Sequence, residues 1–221
     1  MALRAAYCDV DGTLTATTIV TPLIWYKRRL TNPIAFRLWM LSLAVRGPWW
    51  LLIDRFNRGA SNRAIYSNYR GLSREKTESL RGECYAECLR PRLMPGATER
   101  LKKFKRDGIA IVLVTGGLDF VMQPLAEEFG AACIAPRLLE KGGEFTGELD
   151  RPALTGMHKA DAVREHAKAN GVELAQSFAL GDAFGDLEML ECVGNPIAVS
   201  PDSRLKKIAN ERKWCIECWS R

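Results

Sequence analysis

Three short apolar runs, each closing on acids or on a hydroxyl beside glycine, constrain this chain more than any other feature. Leu3 to Cys8 leads into Asp9-Val10-Asp11-Gly12-Thr13-Leu14-Thr15. Val112-Leu113-Val114 leads into Thr115-Gly116-Gly117, and Ala179-Leu180-Gly181 into Asp182-Ala183-Phe184-Gly185-Asp186. Runs this short and this apolar read as buried strands. In an open α/β sheet, ligands bind beyond the carboxyl ends of the strands. One site built from several strand ends would collect these acids and hydroxyls. His158-Lys159-Ala160-Asp161 opens a helical run and adds a cation. Side chains alternate along a strand, so Asp9 and Asp11 can share a face. Gly12 lets the backbone turn sharply beyond them. Taken singly, an Asp-Gly pair after a strand is an ordinary turn.

The rest of the chain fits a doubly wound, Rossmann-like α/β core. Parallel strands are expected near 3–9, 109–115, 131–135, 174–181 and 195–199, with a sixth near 214–217. Helices are expected near 95–107, 117–129, 157–170, 184–191 and 201–212. Residues 137–149, with Gly142, Gly143 and Gly147, read as a β-hairpin flap. Residues 15–94 read as an all-helical insert of four or five helices, punctuated by Pro22, Pro33, Pro48 and Gly71. The expected division is a core of residues 1–14 and 95–221 with a helical cap at 15–94.

The order and spacing of these motifs resemble the haloacid dehalogenase superfamily of phosphatases and phosphotransferases. The phosphoserine-phosphatase-like branch is the nearest match, because a long insert follows the first motif. The four motifs span residues 9 to 186, nearly the whole chain. The resemblance implies that Asp9 is a nucleophile that forms an aspartyl-phosphate, splitting one hard displacement into two. It makes Asp11 the general acid/base. It assigns Mg²⁺ to Asp9, the Asp11 backbone carbonyl and Asp182, with Asp186 binding through water or orienting Asp182. Thr115 and the Gly116 N–H would hold phosphate oxygens, and Lys159 would offset the crowded negative charge. Without the resemblance, Lys159 would read as a surface lysine and Asp186 as a helix N-terminal acid.

Charge separates the two expected parts. Residues 15–95 carry fourteen Lys/Arg against five Asp/Glu, a balance of +9, while the remainder is −3. A basic segment on a slightly acidic body suggests an anionic partner, or simply a solvated basic face. Four of the six tryptophans, Trp25, Trp39, Trp49 and Trp50, lie here among Lys27, Arg28, Arg29, Arg55 and Arg58. Tryptophan beside arginine is the composition of an interfacial membrane segment. A helical bundle that uses Trp as filler is the alternative. Arg37, Arg46 and the Gly47-Pro48 break speak against a spanning helix. No nucleic-acid partner is expected.

The same segment bears on the substrate. Phosphoserine phosphatases carry a cap glutamate soon after the first motif, which meets the substrate ammonium. Nine residues after Asp9 this chain has Thr18, and no acid appears between Asp11 and Asp54. Arg63 is the candidate for meeting a substrate carboxylate. An apolar, basic cap suits a lipid-linked phosphate such as phosphatidylglycerol phosphate, on which some members of the branch act. A soluble small-metabolite, phosphoserine-like phosphatase is the alternative. A membrane-surface or protein-binding module on an inactive scaffold is a third reading, and the intact acids argue against it.

Apolar content of 47% and charged content of 26% describe a globular chain. Seven cysteines, an odd number, point to free thiols in a reducing compartment. The expected location is the cytoplasm, with peripheral contact at the inner membrane surface. Met1-Ala2-Leu3-Arg4 leads straight into the first strand, so no cleavable leader is expected. Cys8 and Cys192 are expected to be buried and structural. A zinc site would need Cys84, Cys88, Cys215 and Cys218 to converge.

Overall fold

The computed structural model describes residues 3–56 and 58–219; for Arg46, residues 48–56 and residues 58–60 the description is of the backbone. Six strands form one parallel sheet: β1 (Ala5–Cys8), β2 (Ala110–Val114), β3 (Ala132–Ile134), β6 (Phe178–Gly181), β7 (Asn195–Val199) and β8 (Cys215–Glu217). Their order is β3-β2-β1-β6-β7-β8. The chain therefore winds outward from β1 in one direction and from β6 in the other. The switch point lies between β1 and β6, where Cys8 pairs with Leu180. A crevice at such a switch point is where open α/β sheets bind ligands.

Alternation along β1 divides the core. Ala6 and Cys8 face one layer with α6 (Pro95–Arg106) and α7 (Asp119–Phe129). Ala5 and Tyr7 face the other, with α8 (Met157–Asn170), α9 (Leu187–Leu190) and α10 (Ser203–Glu211). A strand covered on both faces must be apolar throughout, which is why these runs were readable. The expected strand at 174–181 is shorter, because Leu174–Gln176 forms a 3-10 turn first. The expected helix at 184–191 is divided into a 3-10 turn at Phe184–Asp186 and then α9.

Between β1 and α6 the chain is helical. It comprises α1 (Val20–Leu30), α2 (Pro33–Phe56), α3 (Arg58–Tyr66), α4 (Arg74–Ser79) and α5 (Arg81–Cys84), with a π-type turn at Tyr85–Leu89. The Gly47-Pro48 break is not where the helix ends. The α2 backbone stays helical through it, and Pro48 costs one backbone hydrogen bond rather than the helix. The two ends of this segment run side by side: Met94 N–H donates to the Leu14 carbonyl at 2.9 Å, and Ala16 N–H to the Arg92 carbonyl at 2.8 Å.

A hairpin of β4 (Leu138–Lys141) and β5 (Glu144–Leu149) fastens the helical segment down. Phe145 N–H donates to the Leu72 carbonyl at 2.9 Å, and Gly71 N–H returns a bond to the Phe145 carbonyl at 3.0 Å. Gly147 sits at φ +79, and a Cβ there would lie 2.9 Å from the Ser67 backbone, so the hairpin meets the helical segment at bare backbone. Tyr26, Tyr69, Phe120 and Phe145 join the three parts through ring contacts of 5.6–6.3 Å. Trp25 and Trp39 also turn inward: Trp25 Nε1 donates to Glu87 at 2.7 Å and Trp39 Nε1 to Asn68 at 2.9 Å. For these two the filler reading holds. The side chains of Trp49, Trp50, Arg55 and Arg58 lie outside those described.

Candidate active site

A cavity of about 550 Å³ opens at the switch point, between the sheet and the helical segment. Its floor is the set of strand-end residues. Asp9 directly follows β1, and its N–H donates to the Leu180 carbonyl at 2.9 Å. Asp182 directly follows β6, and Asp186 closes the 3-10 turn beyond it. Lys159 enters from the first turn of α8. Asp9, Lys159 and Asp186 are only 5%, 4% and 3% exposed. Lys159 Nζ lies 2.5 Å from Asp9 Oδ1 and 2.6 Å from Asp186 Oδ1. The Thr13 hydroxyl completes the ring, 3.1 Å from Asp9 Oδ2 and 2.8 Å from Asp182 Oδ1.

Electrostatics follow from this crowding. Burial pushes Asp9 up to about 8; the Lys159 ammonium opposes the rise, and Asp186 and Asp182 add to it. Burial disfavours the Lys159 ammonium, but Asp186 and Asp9 outweigh that and hold it above the ordinary lysine range. Three carboxylates against one ammonium leave the cluster short of positive charge. One oxygen from each of Asp9, Asp182 and Asp186 lies within 4.8 Å of the others. Oxygen-only donors at that spacing suit a hard cation such as Mg²⁺ rather than zinc. Gly12, at φ +93, keeps the cradle open: a Cβ there would lie 2.5 Å from Asp182 Oδ2. The residues present therefore fit Mg²⁺.

A family model described as haloacid dehalogenase-like hydrolase matches residues 6–191. The chain belongs to that family. A probable phosphatase of Mycobacterium tuberculosis is 31% identical over 147 residues, 66% of this chain and 51% of that protein. A phosphoserine phosphatase of the same organism is 30% identical over 158 residues, 71% of this chain and 51% of that protein. The chain thus spans about half the length of these curated relatives. Among solved structures, a protein of unknown function from Bordetella pertussis superposes with a TM-score of 0.80 at 24% identity, covering 98% of this chain and 99% of that one. A phospho-aspartyl intermediate analogue of phosphoserine phosphatase gives 0.70 at 23% identity, covering 99% and 93%. At such identities the likeness speaks for the fold.

In this haloacid dehalogenase-like hydrolase, Asp9, Asp11, Gly116, Lys159, Asp182 and Asp186 all line the one cavity. Asp11 stands apart from the acid cluster, held by the Thr17 hydroxyl, which donates to Oδ1 at 2.8 Å. Thr115 is fully buried and is not among the described lining residues; its Oγ1 accepts the Gly117 N–H at 2.9 Å. Arg63 is exposed and does not line the cavity among the described residues, so it does not take the place expected for a carboxylate partner. Cys84 is buried in the helical segment while Cys215 and Cys218 are exposed beyond α10. Among the described residues the acid cluster is the only group spaced to hold a metal, and the four cysteines do not converge. Cys8 is buried as expected, whereas Cys192 is half-buried, with its thiol donating to the Glu188 carbonyl at 3.1 Å.

Several residues join the site that the sequence reading did not single out. Thr13 was grouped only as a small hydroxyl, although its place after Gly12 is the available signal. Ser61 and Asn62 reach the cavity from α3 and are nearly buried. Asn62 Nδ2 would lie 3.6 Å from a Cβ built on Gly116. The Tyr66 hydroxyl donates to the Gly116 carbonyl. Asp202 steadies the acid loop: its N–H donates to the Asp182 carbonyl at 2.8 Å, and its Oδ2 accepts the Phe184 N–H at 2.8 Å. No local pattern marks Asn62, Tyr66 or Asp202; folding alone delivers them.

Proposed function

We propose that this chain is a Mg²⁺-dependent phosphomonoesterase that works through a phospho-aspartyl intermediate on Asp9. The observation that carries the reading is the convergence of Asp9, Asp182 and Asp186 around Lys159, with Asp11 beside them but outside the cluster. Mg²⁺, held by the Asp9, Asp182 and Asp186 side chains and the Asp11 carbonyl, would offset repulsion between the carboxylates and the phosphate. The Asp9 carboxylate attacks phosphorus as the bond to the leaving oxygen breaks, and Asp11 gives that oxygen its proton. Asp11 then takes a proton from water, whose oxygen attacks the aspartyl-phosphate. Inorganic phosphate leaves and Asp9 is restored. Lys159 and the Gly116 N–H stabilise the phosphate oxygens, with the Thr115 hydroxyl behind them. Residues 15–94 act as a cap over a core of residues 1–14 and 95–221.

The substrate reading rests on the cavity wall facing the acids. It is lined by Thr17, Thr18, Ile19, Val20, Leu43, Ser61, Asn62, Ile65 and Leu154. Among the described residues on this wall, none is charged. Among the described residues of this wall, a zwitterionic leaving group would meet neither an anion for its ammonium nor a cation for its carboxylate. A neutral hydroxylated group carrying apolar chains fits hydroxyls, one amide and aliphatics. This supports a lipid-linked phosphate of the phosphatidylglycerol phosphate kind, handled in the cytoplasm at the inner membrane surface. The naming of relatives as phosphoserine phosphatases supports the second reading, a soluble phosphoserine-like substrate.

Phosphate release decides between them. Aryl phosphate, phosphoserine and micellar lipid phosphates are compared with and without chelator, with Asp9→Asn as control. Turnover of aryl and lipid phosphates that chelator abolishes is expected. Full activity in chelator, or in a folded Asp9→Asn variant, would overturn the mechanism. Preference for phosphoserine would overturn the substrate.

A further inference from the structure

Helix α2 is apolar on two opposite faces. One faces the protein: Phe36 and Trp39 pack with ring centroids 6.1 Å apart, while Leu43 and Gly47 line the cavity. The other carries Ile34, Leu38, Leu41 and Val45, each 63–76% exposed. Steps of four, three and four put them on one stripe. The stripe is about 16 Å long at about 1.5 Å per residue. Scattered exposed aliphatics are ordinary, but four of the seven large ones exposed among the described residues lie on this one helix face. A helix apolar all round is normally covered on both sides.

We propose that this outward stripe of α2 is a docking surface for an anionic lipid bilayer. The inference deepens the lipid-substrate reading and rests on it for its purpose, though not for its observations. Charge selects the occupant. Between Gly12 and Ile53 the chain has Lys27, Arg28, Arg29, Arg37 and Arg46 and no acid; Arg29 is paired with Glu83 and Glu87, so Arg28 and Arg37 supply the unneutralised exposed charge among the described side chains. Arg37 lies exposed beside the stripe, and Arg28 is exposed at the end of α1. A second copy would set this basic face against itself. An anionic bilayer offers an apolar layer for the aliphatics and negative headgroups for the arginines. The helix lies on the surface rather than through it, since no helix among the described residues is long and apolar enough to cross a membrane. Docking on this face brings the cavity within about one helix diameter, about 10 Å, of the lipid.

The test uses the full chain and vesicles of phosphatidylcholine, with or without phosphatidylglycerol. The wild type should pellet with anionic vesicles at low salt, less so at high salt, and not with neutral ones. The double variant L38Q/L41Q should bind at least about tenfold more weakly. Both positions point to solvent, so its melting temperature and aryl phosphate turnover should match the wild type. Equal binding by the variant, or a wild type left in the supernatant with every vesicle, would overturn the proposal. So would a lipid-free dimer that L38Q/L41Q dissociates, which would assign the stripe to a second copy. Absent aryl phosphate turnover in both proteins would sink the phosphatase reading, while the vesicle result still decides the docking.

Discussion

Lys159 Nζ stands 2.6 Å from Asp186 Oδ1, and the same ammonium is 2.5 Å from Asp9 Oδ1. The contact is buried, so solvent screens it little. It also joins the first turn of α8 to the end of β1 and to the 3-10 turn beyond β6. One cation thus does two things: it offsets the acid cluster and fixes its geometry.

Lys159→Met should expose both roles. Removing one partner of a buried ion pair costs about 3–5 kcal/mol, because the remaining charges lose their compensation. The chelated variant should be destabilised by an amount of that order in urea unfolding. Millimolar Mg²⁺ should restore part of the loss, since it supplies charge at the same place. Activity should fall by about 10²–10³, the usual effect of losing one donor to a developing oxyanion. A variant as stable as the wild type in chelator would show that the pair does not hold the site together.

Gly12→Ala tests the cradle. The new methyl would meet Asp182 Oδ2 at 2.5 Å, and φ +93 is unfavourable for any side chain. Asp182 must move away from Asp9 and Thr13. A displacement near 1 Å at a reacting centre costs about 10²-fold. Turnover should drop by that order, and the Mg²⁺ concentration for half-activity should rise. Magnesium titration of aryl phosphate turnover measures both, and an unchanged midpoint would place Asp182 outside the metal's reach.

How much of this was legible depended on what each residue owes to its neighbours in sequence. The sheet was legible because strands covered on both faces, such as β1 and β6, must be apolar runs. Asp9, Asp11 and Asp182 were legible because they directly follow those runs. Lys159 has nothing local to distinguish it from a surface lysine; only the motif order pointed to it. The continuous α2 was not legible, since Pro48 ordinarily ends a helix, yet the backbone stays helical through it. Asn62 was invisible for another reason: its place opposite Gly116 exists only once α3 folds over the turn after β2. Of the tryptophans that suggested a membrane face, Trp25 and Trp39 pack against the core instead, which composition alone could not show.

His166 gives a pH dependence distant from the acid cluster. Its Nδ1 lies 3.1 Å from the Tyr7 hydroxyl. Burial raises Tyr7 to about 12, with Cys192 adding to the shift, so Tyr7 stays protonated; the His166 tautomer decides which of the two donates. Burial lowers His166 below its ordinary 6.5. Below pH 6.5 the unfolded chain therefore binds more protons than the folded one, and stability falls on acidification. The loss begins as pH drops through 6.5 and is complete below the depressed folded value. His166→Gln keeps a hydrogen-bonding partner for Tyr7 without titrating. Between about pH 7.5 and 5.5 its melting temperature should fall less than that of the wild type. Parallel curves would mean that His166 titrates alike in both states.

Asn62 carries the sharpest test of how the helical segment meets the phosphate. Its amide faces Gly116, whose N–H is the proposed anion donor, and it is nearly buried. Asn62→Asp preserves shape and adds one negative charge above that site. Two like charges about 4 Å apart repel by about 4 kcal/mol at an effective dielectric of 20, and by about 1 kcal/mol in water. The cavity is open enough for an intermediate value, so KM should rise by about 10- to 100-fold. The rise should be similar for aryl, seryl and lipid phosphates, because the phosphate is common to all. Competitive inhibition by inorganic phosphate should weaken in step, whereas kcat, set by Asp9 and Asp11, should change less. Asn62→Ala adds no charge; it should leave phosphate inhibition nearly intact and alter only the ranking of leaving groups. If Asn62→Asp lowers the melting temperature but leaves KM and phosphate inhibition unchanged, Asn62 merely packs α3 against the core. The cavity wall would then have to read its substrate through Ser61 and the threonines instead.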